Sequence, residues 1–316
     1  MVGHVPRIAY FGPPGTFTEQ AARSLAGDDD ELDPIDNVPD VLSAVRTGDV
    51  DAACVPVENS VEGAVFATLD SLAEAEALVT VAEAVLPVRF SVLARSGVPA
   101  EQVRTVTSHP HALAQVRQWL STNLPHAKTF AATSTSAAAV AVQRGEFDAA
   151  VTAPVAVSHY PLDVLATDVA DVSDALTRFL LLRRPGALPA PTGHDRTSLV
   201  AVTDDRIGAL SDLLVELALR GINLSRIESR PTKGKLGEYR FFMDFDGHIA
   251  EPRVGDALSA LHRRCSFLRF LGSYPKANGL GGADAGSEVA AQIGTTESAY
   301  TAAKSWLNAV LKGETA

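Results

Sequence analysis

The stretch VRTGDVDAACVP, Val45–Pro56, decides the fold because it returns later in the chain as VQRGEFDAAVTAP, Val142–Pro154. In each copy a helical segment ends at a glycine, Asp-Ala-Ala follows, and an apolar run closes near a proline. That order spells helix, turn and buried strand. Two copies predict two similar α/β lobes. Each would offer loops at the carboxyl ends of its strands, where open α/β sheets bind ligands.

Around the first copy, RIAYFG (Arg7–Gly12) reads as a short buried strand that ends in a glycine turn. TFTEQAARSLAG follows as a helix, with Thr16-x-x-Glu19 as a capping box and Gly27 as its stop. VPDVLSAVRTG is a second helix, and VDAACVPVENS a buried strand that opens into a loop. Two long apolar runs, VLPVRFSVLAR (Val85–Arg95) and TRFLLLRR (Thr177–Arg184), flank the second copy. They are expected to be strands that cross from lobe to lobe. Thr177 and Arg178 would then stand near the hinge, at the floor of a cleft.

RPGALPAPTGHDR, Arg184–Arg196, carries three prolines and reads as a linker. Beyond it come a strand (TSLVAVTD), a helix (GALSDLLVELALRG), a strand (INLSRIESRP), a turn (TKGKLG), a strand (EYRFFMDFDGH), a helix (PRVGDALSALHRRCS) and a last strand (FLRFLGSYP). This βαββαβ order predicts a ferredoxin-like α+β unit. The glycine-rich segment KANGLGGADAGSE after Pro275 is expected to be flexible. Tyr300, Ala303, Leu307, Val310 and Leu311 recur at helical spacing and predict a terminal amphipathic helix.

The whole chain has 316 residues, 46% of them hydrophobic but only 6% aromatic, which suits about two domains with cores of Ala, Val and Leu. Charges interrupt the apolar runs well short of the roughly 20 residues of a membrane span, and no secretory leader is visible. Two distant cysteines, Cys54 and Cys265, suit a reduced cytoplasmic protein. A net charge of −11 argues against nucleic acid or an anionic membrane as partner. An anionic ligand would have to be met by local positive charge.

Four polar entrances to helices or strands stand out. GPPGTFTEQ (Gly12–Gln20) is either an anion site at a helix start or an ordinary capped turn; it is neither a P-loop nor a dinucleotide fingerprint. VPVENSVEG puts Glu58, Asn59 and Ser60 after a buried strand, for a ligand or for turn chemistry alone. TSHPHALAQ sets Ser108 at a helix start, as an N-cap or a ligand, with Gln115 one to two turns on. Its His109-x-His111 pair has no further ligand nearby and makes a poor metal site. In ATSTSAAAVAV, Thr133 to Ser136 supply hydroxyls at another helix start. Singly each has a bland reading. Together they describe a polar cleft.

In order, GPPGTFTEQAA, VPVENSVEG, TSHPHALAQ, STSAAA and TRF, followed by GAL and ESRP, resemble the motifs of prephenate dehydratases with a C-terminal ACT domain. The resemblance covers Arg7 to Pro275. It implies a catalytic domain over residues 1–185, two-lobed like a type II periplasmic binding protein, with the second lobe at 96–175. A linker at 186–195, an ACT domain at 196–276 and a tail at 277–316 would follow. The implied reaction is decarboxylative dehydration of prephenate to phenylpyruvate, on the route to phenylalanine, without cofactor or metal. Thr177 corresponds to the catalytic threonine and Arg178 to the arginine beside it, suited to anchor a carboxylate. Thr16, Glu58, Asn59, Ser60, Ser108, Gln115, Ser134, Thr135, Ser136 and Phe179 correspond to substrate-binding positions. Phenylalanine, the implied effector, would meet Gly208, Ala209, Leu210, Asn223, Leu224, Glu228, Ser229, Arg230 and Pro231 where two ACT units pair, in a homodimer or homotetramer. The sequence departs from the family in its second GPPG proline and in Thr133, where some members carry an acid. Two other readings stay open: an arogenate dehydratase, and a non-catalytic sensor of aromatic acids.

Overall fold

A computed structural model describes residues 5–172, 174–232, 234, 237–277 and 294–314. The first lobe runs β1 (Arg7–Phe11), α1 (Phe17–Leu25), β2 (Glu31–Ile35), α2 (Val38–Thr47), β3 (Ala52–Asn59), β4 (Gly63–Ala64), α3 (Phe66–Glu74) and β5 (Val79–Pro87). The second runs β6 (Ser91–Ala94), β7 (Thr105–Ser108), α4 (Pro110–Gln115), α5 (Arg117–Asn123), β8 (Lys128–Ala131), α6 (Thr135–Gln143), β9 (Ala149–Thr152) and β10 (Asp163–Ala166). The chain then returns to the first lobe as β11 (Leu176–Arg183).

The two sheets share one topology. The first has the order β2-β1-β3-β11-β5 and the second β10-β6-β9-β7-β8, which read backwards is β8-β7-β9-β6-β10. In each, the opening strand of the parallel set (β1, and β7 after the incoming β6) pairs in parallel with the next two, and the third (β3 or β9) pairs antiparallel with a strand that enters from the other lobe (β11 or β6). The duplicated motif supplies that third strand in both. Its aspartate explains why the motif recurs. Asp51 Oδ2 accepts from the Arg7 amide at 2.8 Å, and Asp148 Oδ2 from the Arg104 and Thr105 amides at 2.9 Å each. Each aspartate thus satisfies backbone donors where its lobe's opening strand begins.

Three local expectations are corrected. The run Val85–Arg95 is not one strand, because β5 ends at Pro87 and β6 begins at Ser91, with Val88 and Phe90 buried between them. The run from Thr177 lies wholly inside the first sheet, and the second crossing comes before it, between Ala166 and Leu176. Gly27 does not stop α1, since Ala26 ends the helix in an extended conformation with its N–H on Ala22 O.

Contacts divide the chain into two units. One takes residues up to Ser71 and Glu83–Arg184; the other takes Leu72–Ala82, Pro185–Ala277 and the terminal helix. The second unit holds β12 (Asp195–Val202), α7 (Ala209–Ala218), β13 (Leu224–Pro231), β14 (Tyr239–Asp246), α8 (Pro252–Arg264) and β15 (Phe267–Pro275). Their antiparallel order, β13-β14-β12-β15, is that of a split βαββαβ sheet. Leu213, Leu217, Val254 and Leu261 from its two helices close over Leu199, Met243 and Phe245. Within the same unit, Arg269 Nη1 donates to the Leu72 and Ala75 carbonyls at 2.7 Å each. There Gly272 (φ +136°) lets β15 approach closely, for a Cβ would lie 2.3 Å from Thr80 O.

The terminal helix is present as α9 (Glu297–Leu311), with Trp306, Leu307, Val310 and Leu311 exposed. The glycine-rich segment expected to be flexible lies, from residue 278 on, outside the described residues, as does part of the TKGKLG turn. Among the described residues, no helix is long and apolar enough to cross a membrane.

Candidate active site

The polar strand ends meet where β3 and β11 pair antiparallel, with Thr177 opposite Asn59 and Arg178 opposite Glu58. Glu58 and Asn59 are the last residues of β3 rather than part of the loop after it. Asn59 Nδ2 donates to Thr177 Oγ1 at 2.8 Å, and Asn59 Oδ1 accepts from the Val61 and Glu62 amides at 2.8 and 2.9 Å. One amide therefore fixes both the threonine and the loop beside it. Because Thr177 Oγ1 is the acceptor in that bond, its own proton is left to donate elsewhere. Ser60 is tied to the neighbouring strand: its Oγ accepts from Leu176 N, and its N–H donates to Leu176 O, both at 2.9 Å.

Arg178 does not share Thr177's outlook, because successive strand residues face opposite sides of a sheet. It is buried, its Nε donates to Glu83 Oε2 at 2.7 Å, and Nη1 lies 3.8 Å from Glu58 Oε2. The Nε–Nη fork read as a carboxylate anchor is thus engaged by the protein's own carboxylates. A register shift follows between Arg178 and Phe179, and Phe179 is fully buried in the core.

The second lobe brings its own strand ends. Ser108 is the last residue of β7, fully buried, and donates to Val151 O at 2.6 Å, so it braces β7 against β9. The N-cap of α4 is His109, whose side chain accepts from His111 N. Burial and the neighbouring His111 hold the His109 imidazole below its ordinary value. Gln115, at the end of α4, reaches across to Glu62 of the first lobe (3.5 Å), as does His111 (Nδ1 to Oε2, 3.5 Å). Ser134 caps α6 through Ala137 N, with Thr135 in the first turn and Ser136 fully buried behind it. Thr16 caps α1 in the same way through Glu19 N. Each lobe thus contributes a capped helix start with the positive end of its dipole, and Gly15 beside α1 lies against Ser136 of α6.

Several residues here carry no sequence signal of a site. Glu19 is buried and accepts from Gly15 N at 2.5 Å, from Arg23 Nη2 at 2.6 Å, and pairs with His159 Nε2 at 2.8 Å. The expected capping box is thus half formed, since the glutamate turns to Gly15 instead of Thr16. Burial alone would raise the Glu19 carboxyl, but the Gly15 amide, Arg23 and His159 outweigh it and hold it below the usual range. Burial, then the Glu19 charge, pushes the Tyr160 phenol up. Among the described residues, no three His, Cys, Asp or Glu side chains group to hold a metal ion.

The expected effector residues spread along the second unit. Gly208, left-handed at φ +81°, precedes α7, and Ala209 and Leu210 begin it. Asn223 and Leu224 lie past the far end of that ten-residue helix, about 15 Å away at 1.5 Å per residue. Asn223 Nδ2 donates to Asp246 Oδ2 (3.1 Å), at the rim of a cavity of about 630 Å³ lined by His194, Asp195, Arg253 and Lys276. Glu228, Ser229, Arg230 and Pro231 lie on β13, an edge strand with every second residue exposed. β13 is the outer strand of its sheet, and such an edge offers backbone groups that can pair with another chain.

The prephenate dehydratase family model matches residues 8–187, and the ACT domain model residues 197–263. A prephenate dehydratase of Amycolatopsis methanolica is 63% identical over 311 residues, 98% of this chain and 99% of the relative. One from Mycolicibacterium vanbaalenii is 50% identical over 293 residues, 88% of this chain and 94% of the relative. The crystal structure of an Arthrobacter aurescens prephenate dehydratase in complex with L-Phe superposes with a TM-score of 0.87 at 42% identity. It covers 97% of this chain and 99% of that one.

Proposed function

The chain belongs to the prephenate dehydratase family, and on that premise we propose that the cleft at the β3–β11 junction binds prephenate and that Thr177 drives loss of its hydroxyl. The observation that carries this is the Asn59–Thr177 hydrogen bond. It consumes a lone pair of the threonine oxygen and leaves the hydroxyl proton to be aimed at the substrate. Prephenate carries two carboxylates and a ring hydroxyl, one step from aromaticity. The electron pair of the ring-carbon–carboxylate bond enters the ring as carbon dioxide leaves. The carbon–oxygen pair departs with the hydroxyl oxygen, which gains one proton and leaves as water. The aromatic product makes this downhill, so a hydrogen-bond donor at the leaving oxygen suffices. Thr177 is that donor, and solvent supplies the net proton.

The dianion is held by the helix starts behind Thr16 and Ser134–Ser136, with Gln115 at the rim. Arg178, with its Nε held by Glu83, supports Thr177 from the next position of β11. Glu58, Ser60 and Ser108 keep the strand ends in register, and Phe179 anchors β11 in the core. The domain limits follow the sequence reading: catalysis in 1–185, a linker at 186–195, ACT at 196–276, a tail beyond. The Arthrobacter complex supports phenylalanine as effector of this chain. It would bind where Gly208–Leu210 of one copy meet Asn223–Leu224 and Glu228–Pro231 of another, in a homodimer or homotetramer. A biosynthetic role and two reduced cysteines suit the cytoplasm.

The test is to follow phenylpyruvate release from prephenate at neutral pH, with and without phenylalanine. Turnover that phenylalanine suppresses supports both assignments. Turnover indifferent to it removes the effector role, and binding without turnover removes the enzymatic one.

A further inference from the structure

We propose that Glu19 and His159 form a latch that holds the two lobes closed over the cleft, which makes both of them positioning residues for substrate capture. This rests on the reading of the cleft as the substrate site. Glu19 belongs to α1 of the first lobe. His159 follows the short 3-10 turn Pro154–Ser158 after β9 of the second lobe. Their 2.8 Å contact spans 140 residues of sequence. It forms at a carboxylate only 2% exposed, where an ion pair or a charge-assisted hydrogen bond keeps much of its strength.

The surroundings are built around that contact. The same carboxylate takes the Gly15 amide, so the β1–α1 loop and the second lobe are fixed by one group. Tyr160, next to His159, donates its hydroxyl to Pro14 O at 2.8 Å, also across the lobes. Gly15 (φ +91°) is pressed directly by the second lobe. A Cβ there would lie 2.9 Å from the Tyr160 ring, 3.2 Å from Ser136 Oγ and 3.3 Å from the Ala156 backbone. Phe17, at the start of α1, packs edge-on against Phe90 in the first crossing segment. The loop after β1 and the turn after β9 are both carboxyl-end loops. Elsewhere Glu62 bridges to His111 and Gln115 at 3.5 Å, a longer and more exposed contact. The Glu19 cluster is therefore the firmer of these two contacts between the lobes.

A latch acts on the population of closed molecules. Apparent affinity falls with the closed fraction, whereas a bound substrate restores closure and leaves the chemical step intact. His159→Phe removes the donor without disturbing the Arg23 and Gly15 bonds to Glu19; His159→Gln keeps a donor nitrogen. In the full-length protein, His159→Phe is expected to raise KM for prephenate about tenfold, with kcat within about twofold. His159→Gln should stay near the parent. Small-angle scattering of ligand-free protein should show a larger radius of gyration for His159→Phe and none for His159→Gln. An unchanged KM, a fall confined to kcat, or equal scattering from all three proteins would overturn the latch. If the parent does not turn over prephenate, the cleft reading fails and scattering alone decides: expansion confined to His159→Phe supports the latch, and no expansion removes it.

Discussion

Asn59 Nδ2 donates to Thr177 Oγ1 across the β3–β11 ladder, while Asn59 Oδ1 holds the Val61 and Glu62 amides. The two ends of one side chain do different work. Asn59→Asp keeps the acceptor but cannot donate to Thr177. The hydroxyl is then free to turn towards the new carboxylate and away from the substrate. A misaimed catalytic group costs about a hundredfold in rate. Steady-state kinetics with prephenate should therefore show kcat down by about that factor, while thermal unfolding shows the fold retained.

Arg178 and Glu83 are both buried and 2.7 Å apart. Removing one member of a buried ion pair typically costs about 3–5 kcal/mol, whereas replacing both is far milder. Arg178→Met should thus lower stability to denaturant by about that amount, and Glu83→Gln added to it should recover much of the loss. An arginine that served only to bind substrate would leave stability unchanged and raise KM instead.

The Glu19 carboxyl is held below its ordinary value of 4.5 in the folded protein. A depressed folded value means stability that is fully present above the unfolded value and is lost as pH falls through the folded one. Compared with the parent, Glu19→Gln should be less stable above pH 4.5, and the gap should close as acid protonates the parent's glutamate. Denaturant midpoints measured from neutral pH down into that range check both the sign and the window.

Asp148 accepts from two backbone amides and the Thr105 hydroxyl. Burial would raise its carboxyl, but these donors hold it low. Asp148→Ala leaves the start of β7 without acceptors and should cost about 2 kcal/mol by chemical denaturation.

The duplicated Asp-Ala-Ala was legible because it meets a local need, an acceptor at the start of each lobe's opening strand. The ACT-type unit was legible from its alternation of strands and helices. Thr177 and Asn59 were legible as polar residues at the ends of apolar runs. What escaped depends on long closures. Glu19 looked like a capping-box glutamate, and nothing near it in sequence points to His159, 140 residues away. The pairing of Arg178 with Glu83 was hidden because the glutamate lies 95 residues back, on another strand. The break at Val88–Phe90 was hidden because Val88 and Phe90 are apolar and buried like β6, and the exposed Arg89 between them mimics the alternation of a strand. Periodicity alone does not separate them.

The most direct test of the central claim compares phenylpyruvate formation by the parent protein and by Thr177→Ala at saturating prephenate. Loss of a donor to a departing oxygen typically costs about 10²- to 10³-fold in kcat, and that is the predicted result. A variant that turns over prephenate at nearly the parent rate would contradict the account and move the chemistry away from the Asn59–Thr177 pair.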